Sequence, residues 1–105
     1  MTVEITDKNF ETLVLNSSKP VVIDFWAQWC GPCKSVSASI DDMAEEYGEQ
    51  VVIGKIDVDL NPNATSKFGV RNMPTVLYIK NGEVMDKQVG ATSKTVLEEK
   101  LKSIL

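Results

Sequence analysis

The sequence predicts a single α/β domain spanning residues 1–105, in which a mixed five-stranded sheet is flanked by four helices in the order βαβαβαββα. Short apolar runs alternate with segments of helical periodicity, the pattern of a sheet covered by helices. The chain has 105 residues, 43% hydrophobic and 25% charged, which suits one globular domain. Internal repeats and low-complexity tracts are absent. We therefore expect the whole chain to fold as one unit.

The first elements are a short edge strand at residues 3–5 and a helix that Thr6 or Asp7 can cap. The apolar positions of this helix follow a spacing of three and four residues, namely Phe10, Leu13 and Val14. The next segment, VVIDFWA at residues 21–27, is apolar throughout except for Asp24. Such a continuous run predicts a strand buried on both faces.

After the cysteines, a helix with one apolar face is predicted. The residues on that face are Val36, Ile40, Met43, Ala44 and Tyr47. Gly48 offers a left-handed stop for this helix. Residues 51–58 predict a second central strand. Asn61 and Pro62 are typical of the cap and first turn of a short helix, which Gly69 ends.

The last part of the chain predicts a hairpin and a final helix. Residues 75–80 and 83–89 flank Asn81-Gly82, the strongest two-residue hairpin signal. Thr92 or Ser93 opens the final helix. The inner face of that helix carries Val96, Leu97, Leu101 and Ile104.

Charge and composition exclude several classes of function. The net charge of −4 argues against binding to nucleic acid, which requires a basic surface. No apolar stretch is long enough to span a bilayer, and no basic start with an apolar run marks a secretory signal. Histidine, the usual general base, is absent. We expect a cytoplasmic protein with free thiols, whose chemistry uses thiols and carboxylates.

Cys30 and Cys33 are the only cysteines and are two residues apart. Structural zinc requires four ligands, so only a site shared by two subunits could complete the set. A structural disulfide here would close a very short loop, where the entropic gain is smallest. The pair follows a buried strand at the first turn of a helix, where unpaired N–H groups and the helix dipole favour a thiolate. Pro32 fits that turn. The spacing therefore favours a redox motif.

The sequence resembles the thioredoxin family over essentially its whole length. The motif WCGPCK at residues 29–34 carries the resemblance. Supporting matches are DFWA at 24–27, KIDVD at 55–59, NP at 61–62, MPT at 73–75, KNGE at 80–83 and VGA at 89–91.

The resemblance implies the thioredoxin fold and a protein-disulfide reductase that contributes to cell redox homeostasis. Its partners are disulfide-containing client proteins and a thioredoxin reductase, linked to NADPH or to ferredoxin. It further implies a monomer with no bound cofactor or metal. Gly-Pro between the cysteines argues against glutaredoxin-like use of glutathione. Two alternatives remain open: a binding subunit without redox chemistry, and a zinc site that bridges a dimer.

The resemblance also implies roles for four residues. Cys30 corresponds to the attacking thiolate and Cys33 to the resolving thiol. Asp24 corresponds to a buried acid that assists proton transfer to and from Cys33, with Lys55 as its neighbour. Burial is expected to raise the pKa of Asp24, and Lys55 to oppose that rise. A purely structural, paired carboxylate at Asp24 is the alternative.

By the same resemblance, a shallow client groove surrounds the cysteines, with Pro74 in the cis form. Its residues are Trp29, Gly31, Pro32, Met73, Pro74, Gly90 and Ala91. The alternative makes Trp29 and Met73 core residues and Pro74 a trans residue that opens a strand. The chain departs from the family at Ala38, where a helix proline is usual. Because an interior proline kinks a helix, Ala38 predicts a straighter one.

Overall fold

The five strands form one mixed sheet in the spatial order β1-β3-β2-β4-β5. In the computed structural model, which describes residues 1–105, the strands are β1 Val3–Glu4, β2 Val21–Trp26, β3 Val52–Asp57, β4 Thr75–Lys80 and β5 Glu83–Val89. Strands β1, β3 and β2 are parallel, whereas β4 is antiparallel to β2 and β5 is antiparallel to β4. The predicted mixed sheet of five strands is confirmed.

Four helices cover the sheet. They are a short π-helix at Glu11–Leu15, α1 at Cys33–Tyr47, α2 at Pro62–Lys67 and α3 at Lys94–Lys102. The predicted element order is therefore confirmed. None of these helices has the length and apolar character needed to cross a membrane.

Two hydrophobic clusters lie on the two faces of the sheet. One packs α1 and α3 against the sheet through residues such as Val22, Ile40 and Leu97. The other packs the π-helix and α2 against the opposite face, around Ile23 and Phe25. Side chains alternate between faces along a strand, so the even-numbered residues of β2 face α1. This alternation also directs Asp24 toward α1.

The start of the first helix differs from the prediction. Thr6 accepts the N–H of Asn9 at its hydroxyl oxygen (3.3 Å), but this bond belongs to a turn that precedes the π-helix. Asp7 caps a different helix, because its carboxylate accepts the N–H of Ala64 at 2.7 Å in the first turn of α2. Asn61 occupies the N-cap position of α2, but its side chain makes no bond to the helix, since it accepts the Asp7 N–H and donates to the Asp57 carbonyl. The predicted cap position of Asn61 and the first-turn position of Pro62 are therefore confirmed, but the side-chain acceptor of the cap is supplied by Asp7.

The predicted left-handed stop at Gly48 is also wrong. Gly48 has a φ of −58° and stays in the right-handed region. The N–H groups of Gln50 and Val51 both donate to the Tyr47 carbonyl, at 2.9 and 3.2 Å. These bonds continue the helical turn past the end of α1, so no reversal of handedness is needed there.

The other turn predictions are confirmed. Gly69 follows α2 with a φ of +67°, and the hairpin residues Asn81 and Gly82 have φ values of 54° and 77°. Two successive positive φ angles are those of the type I′ turn that joins tightly twisted strands. Ser93 caps α3, since its hydroxyl accepts the Val96 N–H at 3.4 Å.

Candidate active site

Cys30 and Cys33 lie between the end of β2 and the start of α1. They form a disulfide with a Cα–Cα distance of 5.4 Å. Cys33 is the first residue of α1, and Pro32 precedes it with a helical φ of −62°. The Cys30 N–H donates to the Ala27 carbonyl at 3.1 Å, which holds the turn that carries the first sulfur. Composition led us to expect free thiols, whereas the structure holds the oxidised pair.

The disulfide is nearly covered. Cys30 is 5% exposed and Cys33 is 2% exposed, and Met73 packs against the cluster that they form with Ala27. The Met73–Pro74 peptide bond is cis. A client sulfur therefore reaches this pair only across the small exposed edge beside Cys30.

A cleft of about 370 Å³ opens beside the disulfide, at the junction of α1 with β2 and β3. Both cysteines line it, together with Ala38. Its other lining residues are Trp26, Ala27, Gln28, Lys34, Ser37, Asp41 and Lys55. The cleft brings the sulfur pair together with two lysine cations, one aspartate and one serine hydroxyl.

Asp24 lies behind this cleft and is fully buried. The Ser37 hydroxyl donates to its Oδ2 at 2.7 Å, while its Oδ1 is the one buried side-chain oxygen or nitrogen in the protein without a hydrogen-bond partner. Burial raises the pKa of Asp24 to about 6, against the lowering effects of the Ser37 hydrogen bond and the Lys55 charge. This carboxyl group therefore changes charge close to neutral pH, as a proton-transfer group requires.

Lys55 is the neighbour of Asp24 but not its ion-pair partner. The two residues are opposite each other in the register of β2 and β3. The Lys55 ammonium pairs instead with Asp41 at 2.8 Å. The Asp41 side chain is 57% exposed, so this arrangement keeps the lysine charge near water while Lys55 lines the cleft. Lys55 is thus the expected neighbour that opposes the rise of the Asp24 pKa, and it does so without forming an ion pair with Asp24.

Neither Ser37 nor Asp41 was singled out from the sequence. With Cys33 they are spaced four residues apart along α1, which places them on one face of the helix. A polar residue four and eight positions after the second cysteine was the available signal. To interpret this signal, one must also know that Asp24 of β2 and Lys55 of β3 pack against this face of α1.

The residues expected in the groove are only partly brought together. Trp29 and Met73 line one surface depression with Val58, Pro62, Thr65, Ser66, Gly69, Val70 and Arg71. Pro74 is joined to Gly90 by a hydrogen bond from the Gly90 N–H to the Pro74 carbonyl at 2.9 Å. Gly31, Pro32, Gly90 and Ala91 do not line that depression, although all four have solvent-accessible surface.

Trp29 is a surface residue rather than a core residue. It is 69% exposed, and its indole Nε1–H donates to Asp59 Oδ2 at 2.9 Å. This bond restrains the orientation of the indole ring, which belongs to the residue before Cys30. Asp59 lies in the motif KIDVD, but nothing in the sequence linked it to Trp29.

The chain is similar to known proteins over nearly its whole length. The family model described as "Thioredoxin" matches residues 1–103. A "Thioredoxin" from Haemophilus influenzae is 50% identical over 93 residues, covering 89% of this chain and 87% of the relative. A "Thioredoxin" from Chlorobaculum thiosulfatiphilum is 46% identical, covering 93% and 91%. A "Thioredoxin M-type, chloroplastic" from Pisum sativum is 42% identical, covering 96% of this chain and 59% of the relative.

Proposed function

Because this chain belongs to the thioredoxin family and is a thiol–disulfide oxidoreductase with protein-disulfide reductase activity, we propose that Cys30 is its nucleophile and Cys33 its resolving thiol. The observation that carries this assignment is the Cys30–Cys33 disulfide at the N-terminus of α1, with Cys30 on the side of Trp29. Cys33 lies deeper and is the first residue of the helix. Cys30 is therefore the sulfur that a client reaches first.

The reaction consists of two exchanges. The Cys30 thiolate attacks one sulfur of the client disulfide, so that a mixed disulfide forms and the second client sulfur leaves as a thiolate. Cys33 then loses its proton and attacks the Cys30 sulfur, which breaks the mixed disulfide and releases the remaining client thiolate. Two electrons pass to the client, whose two thiolates take up protons. The product on this chain is the disulfide seen in the structure.

Asp24 is proposed to take the proton from Cys33 in the second exchange. It is buried behind the cleft that Cys33 lines, and burial raises its pKa to about 6. At neutral pH most Asp24 is therefore a carboxylate that accepts a proton more readily than an ordinary aspartate. Lys55 supports the charged form from the adjacent strand.

Clients are proposed to lie as extended chains across the groove, against Trp29 and Met73 and along Gly31, Pro32, Pro74, Gly90 and Ala91. The exposed indole and the apolar wall at Met73 offer contact area to an unfolded segment. A thioredoxin reductase is the proposed source of electrons. We further propose that the protein acts as a monomer in the cytoplasm.

Insulin reduction with dithiothreitol as the electron source tests the mechanism. We expect Cys30→Ser to abolish the acceleration, and Cys33→Ser to accumulate a covalent mixed disulfide visible on a non-reducing gel. Circular dichroism of each variant controls for folding. If both variants reduce insulin as fast as the parent, the assignment is wrong.

A further inference from the structure

Resting on the function proposed above, we propose that Ser37 is a positioning residue for the resolving exchange: its hydroxyl holds one oxygen of Asp24 so that the other oxygen carries the proton from Cys33. The bond that supports this role joins Ser37 Oγ to Asp24 Oδ2 at 2.7 Å. The two residues are thirteen positions apart in the sequence. The contact is made by the packing of α1 on β2.

The placement follows from two periodicities. Residues four apart share a face of an α-helix, so Cys33 and Ser37 point the same way, and both line the cleft beside the disulfide. Alternation along β2 directs Asp24 toward that same face of α1. Ser37, one helical turn after Cys33, is therefore placed in contact with Asp24.

The hydrogen-bond inventory then assigns the two carboxyl oxygens different roles. A serine hydroxyl has a single proton, and Ser37 donates it to Oδ2. Oδ1 of Asp24 has no hydrogen-bond partner and is buried. A proton arriving at the acid is consequently carried on Oδ1, while the bond to Oδ2 stabilises the carboxylate and fixes its orientation.

Among the groups that face Asp24, the Ser37 hydroxyl has the largest lowering effect on its pKa. Lys55 from β3 lowers the pKa of Asp24 and Asp41 from α1 raises it, and these two charges are paired with each other. On the other side of β2, the residue opposite Asp24 is the uncharged Val76 of β4. The Ser37 bond therefore lowers the pKa of Asp24 more than the Lys55 charge does. Ser37 is the one hydrogen-bond donor to this acid.

The experiment is a titration of the Asp24 carboxyl carbon by ¹³C NMR in the oxidised protein, for the parent, Ser37→Ala, Ser37→Thr and Ser39→Ala. We expect Ser37→Ala to move the Asp24 midpoint upward by about one pH unit, since a hydrogen bond to the charged form is lost. Ser37→Thr retains a hydroxyl and is expected to restore the midpoint. Ser39→Ala is the matched control, because Ser39 lies on the same helix and makes no hydrogen bond through its side chain.

A second readout is the single-turnover reduction of insulin by prereduced protein between pH 5.5 and 9. A one-unit shift slows the resolving exchange of Ser37→Ala about fivefold at pH 6 and about twofold at pH 7, with no difference at pH 9. An unchanged Asp24 midpoint in Ser37→Ala, or an equal shift in Ser39→Ala, would overturn the proposal.

The two readouts separate this inference from the function on which it depends. If the Asp24 midpoint moves as expected but the ratio of the parent rate to the Ser37→Ala rate is the same from pH 5.5 to 9, Asp24 is not the proton acceptor, and a positioning role for Ser37 in catalysis is overturned with it. If Cys33→Ser fails to trap a mixed disulfide, the proposed mechanism itself fails, whatever the titration shows.

Discussion

Asp24 and Lys55 are opposite each other on the parallel strands β2 and β3, yet the Lys55 ammonium pairs with Asp41 at the mouth of the cleft. The buried acid therefore has no ion-pair partner within 4 Å and a single hydroxyl donor, Ser37. An unpaired buried carboxylate costs free energy. That cost appears as the raised pKa of Asp24, and it makes the acid sensitive to each of its neighbours.

The first prediction concerns stability. The pKa of Asp24 is raised from 3.8 to about 6, so between these pH values the folded protein binds more protons than the unfolded chain. The contribution of Asp24 to the free energy of unfolding is thus fully present below pH 3.8. It is lost as the pH rises through 6, and the total loss is about 3 kcal/mol. We expect Asp24→Asn to remove this loss, measured by urea unfolding of the oxidised protein at pH 4 and pH 7.5. A difference between parent and variant that is equal at both pH values would contradict it.

The second prediction concerns the pair at the cleft mouth. Lys55→Gln removes a positive charge and should raise the pKa of Asp24, whereas Asp41→Asn removes a negative charge and should lower it. Because Asp41 is largely exposed and screened by water, we expect shifts of roughly half a pH unit or less for that variant. NMR titration of Asp24 measures both.

Lys94→Gln is the control for this pair. Lys94 also forms an ion pair at 2.7 Å, with Glu46, but it lies outside the cleft. We expect it to leave the Asp24 midpoint in place. Shifts of the same sign in Lys55→Gln and Asp41→Asn would show that the two charges do not act on Asp24 separately.

The third prediction concerns Trp29. Asp59→Ala removes the acceptor of the indole N–H and frees the ring to rotate. If the ring is a fixed contact for clients, the KM for insulin should rise roughly threefold to tenfold, the effect of about one hydrogen bond. A small aromatic disulfide, which needs no groove, should be reduced at the parent rate. Glu83→Ala, at the opposite end of β5 from the site, is the control, and equal KM values for Asp59→Ala and the parent would argue against a client contact.

The fourth prediction concerns the cap of α2. Asp7 accepts the N–H groups of Asn63 and Ala64, at 3.3 and 2.7 Å, so Asp7→Ala should lower the free energy of unfolding by about 1 to 2 kcal/mol. Asp7→Asn keeps an acceptor and should lose much less. Urea unfolding measures both variants. A loss of the same size in Asp7→Asn and Asp7→Ala would show that the charge, rather than the cap, stabilises the helix.

The local elements could be predicted because each depends on neighbours in the chain. The turn at Asn81-Gly82 requires two positive φ angles, and asparagine and glycine adopt them most easily. The apolar spacing along α1 likewise identified Val36, Ile40 and Met43, which are all buried. The redox motif could be predicted for the same reason, since Cys30 and Cys33 are within one helical turn of each other.

Errors arose where a distant residue supplied the partner. Asn61 occupies the cap position of α2 as predicted, but Asp7, more than fifty positions earlier, provides the side-chain acceptor. Gly48 has the identity of a left-handed stop, but bonds to the Tyr47 carbonyl keep the chain right-handed. In both places more than one local conformation was compatible with the residue, and contacts made on folding selected one.

By itself, the sequence determined the order of strands and helices, the hairpin, the two apolar faces and the sulfur pair, because hydrophobic periodicity and turn chemistry act over a few residues. Only the tertiary structure decided which groups surround Asp24. It placed Ser37, one turn beyond Cys33, against Asp24, and it paired the Lys55 ammonium with Asp41. These choices depend on how a helix packs on a sheet, since side chains from separate elements meet only when both elements are in place.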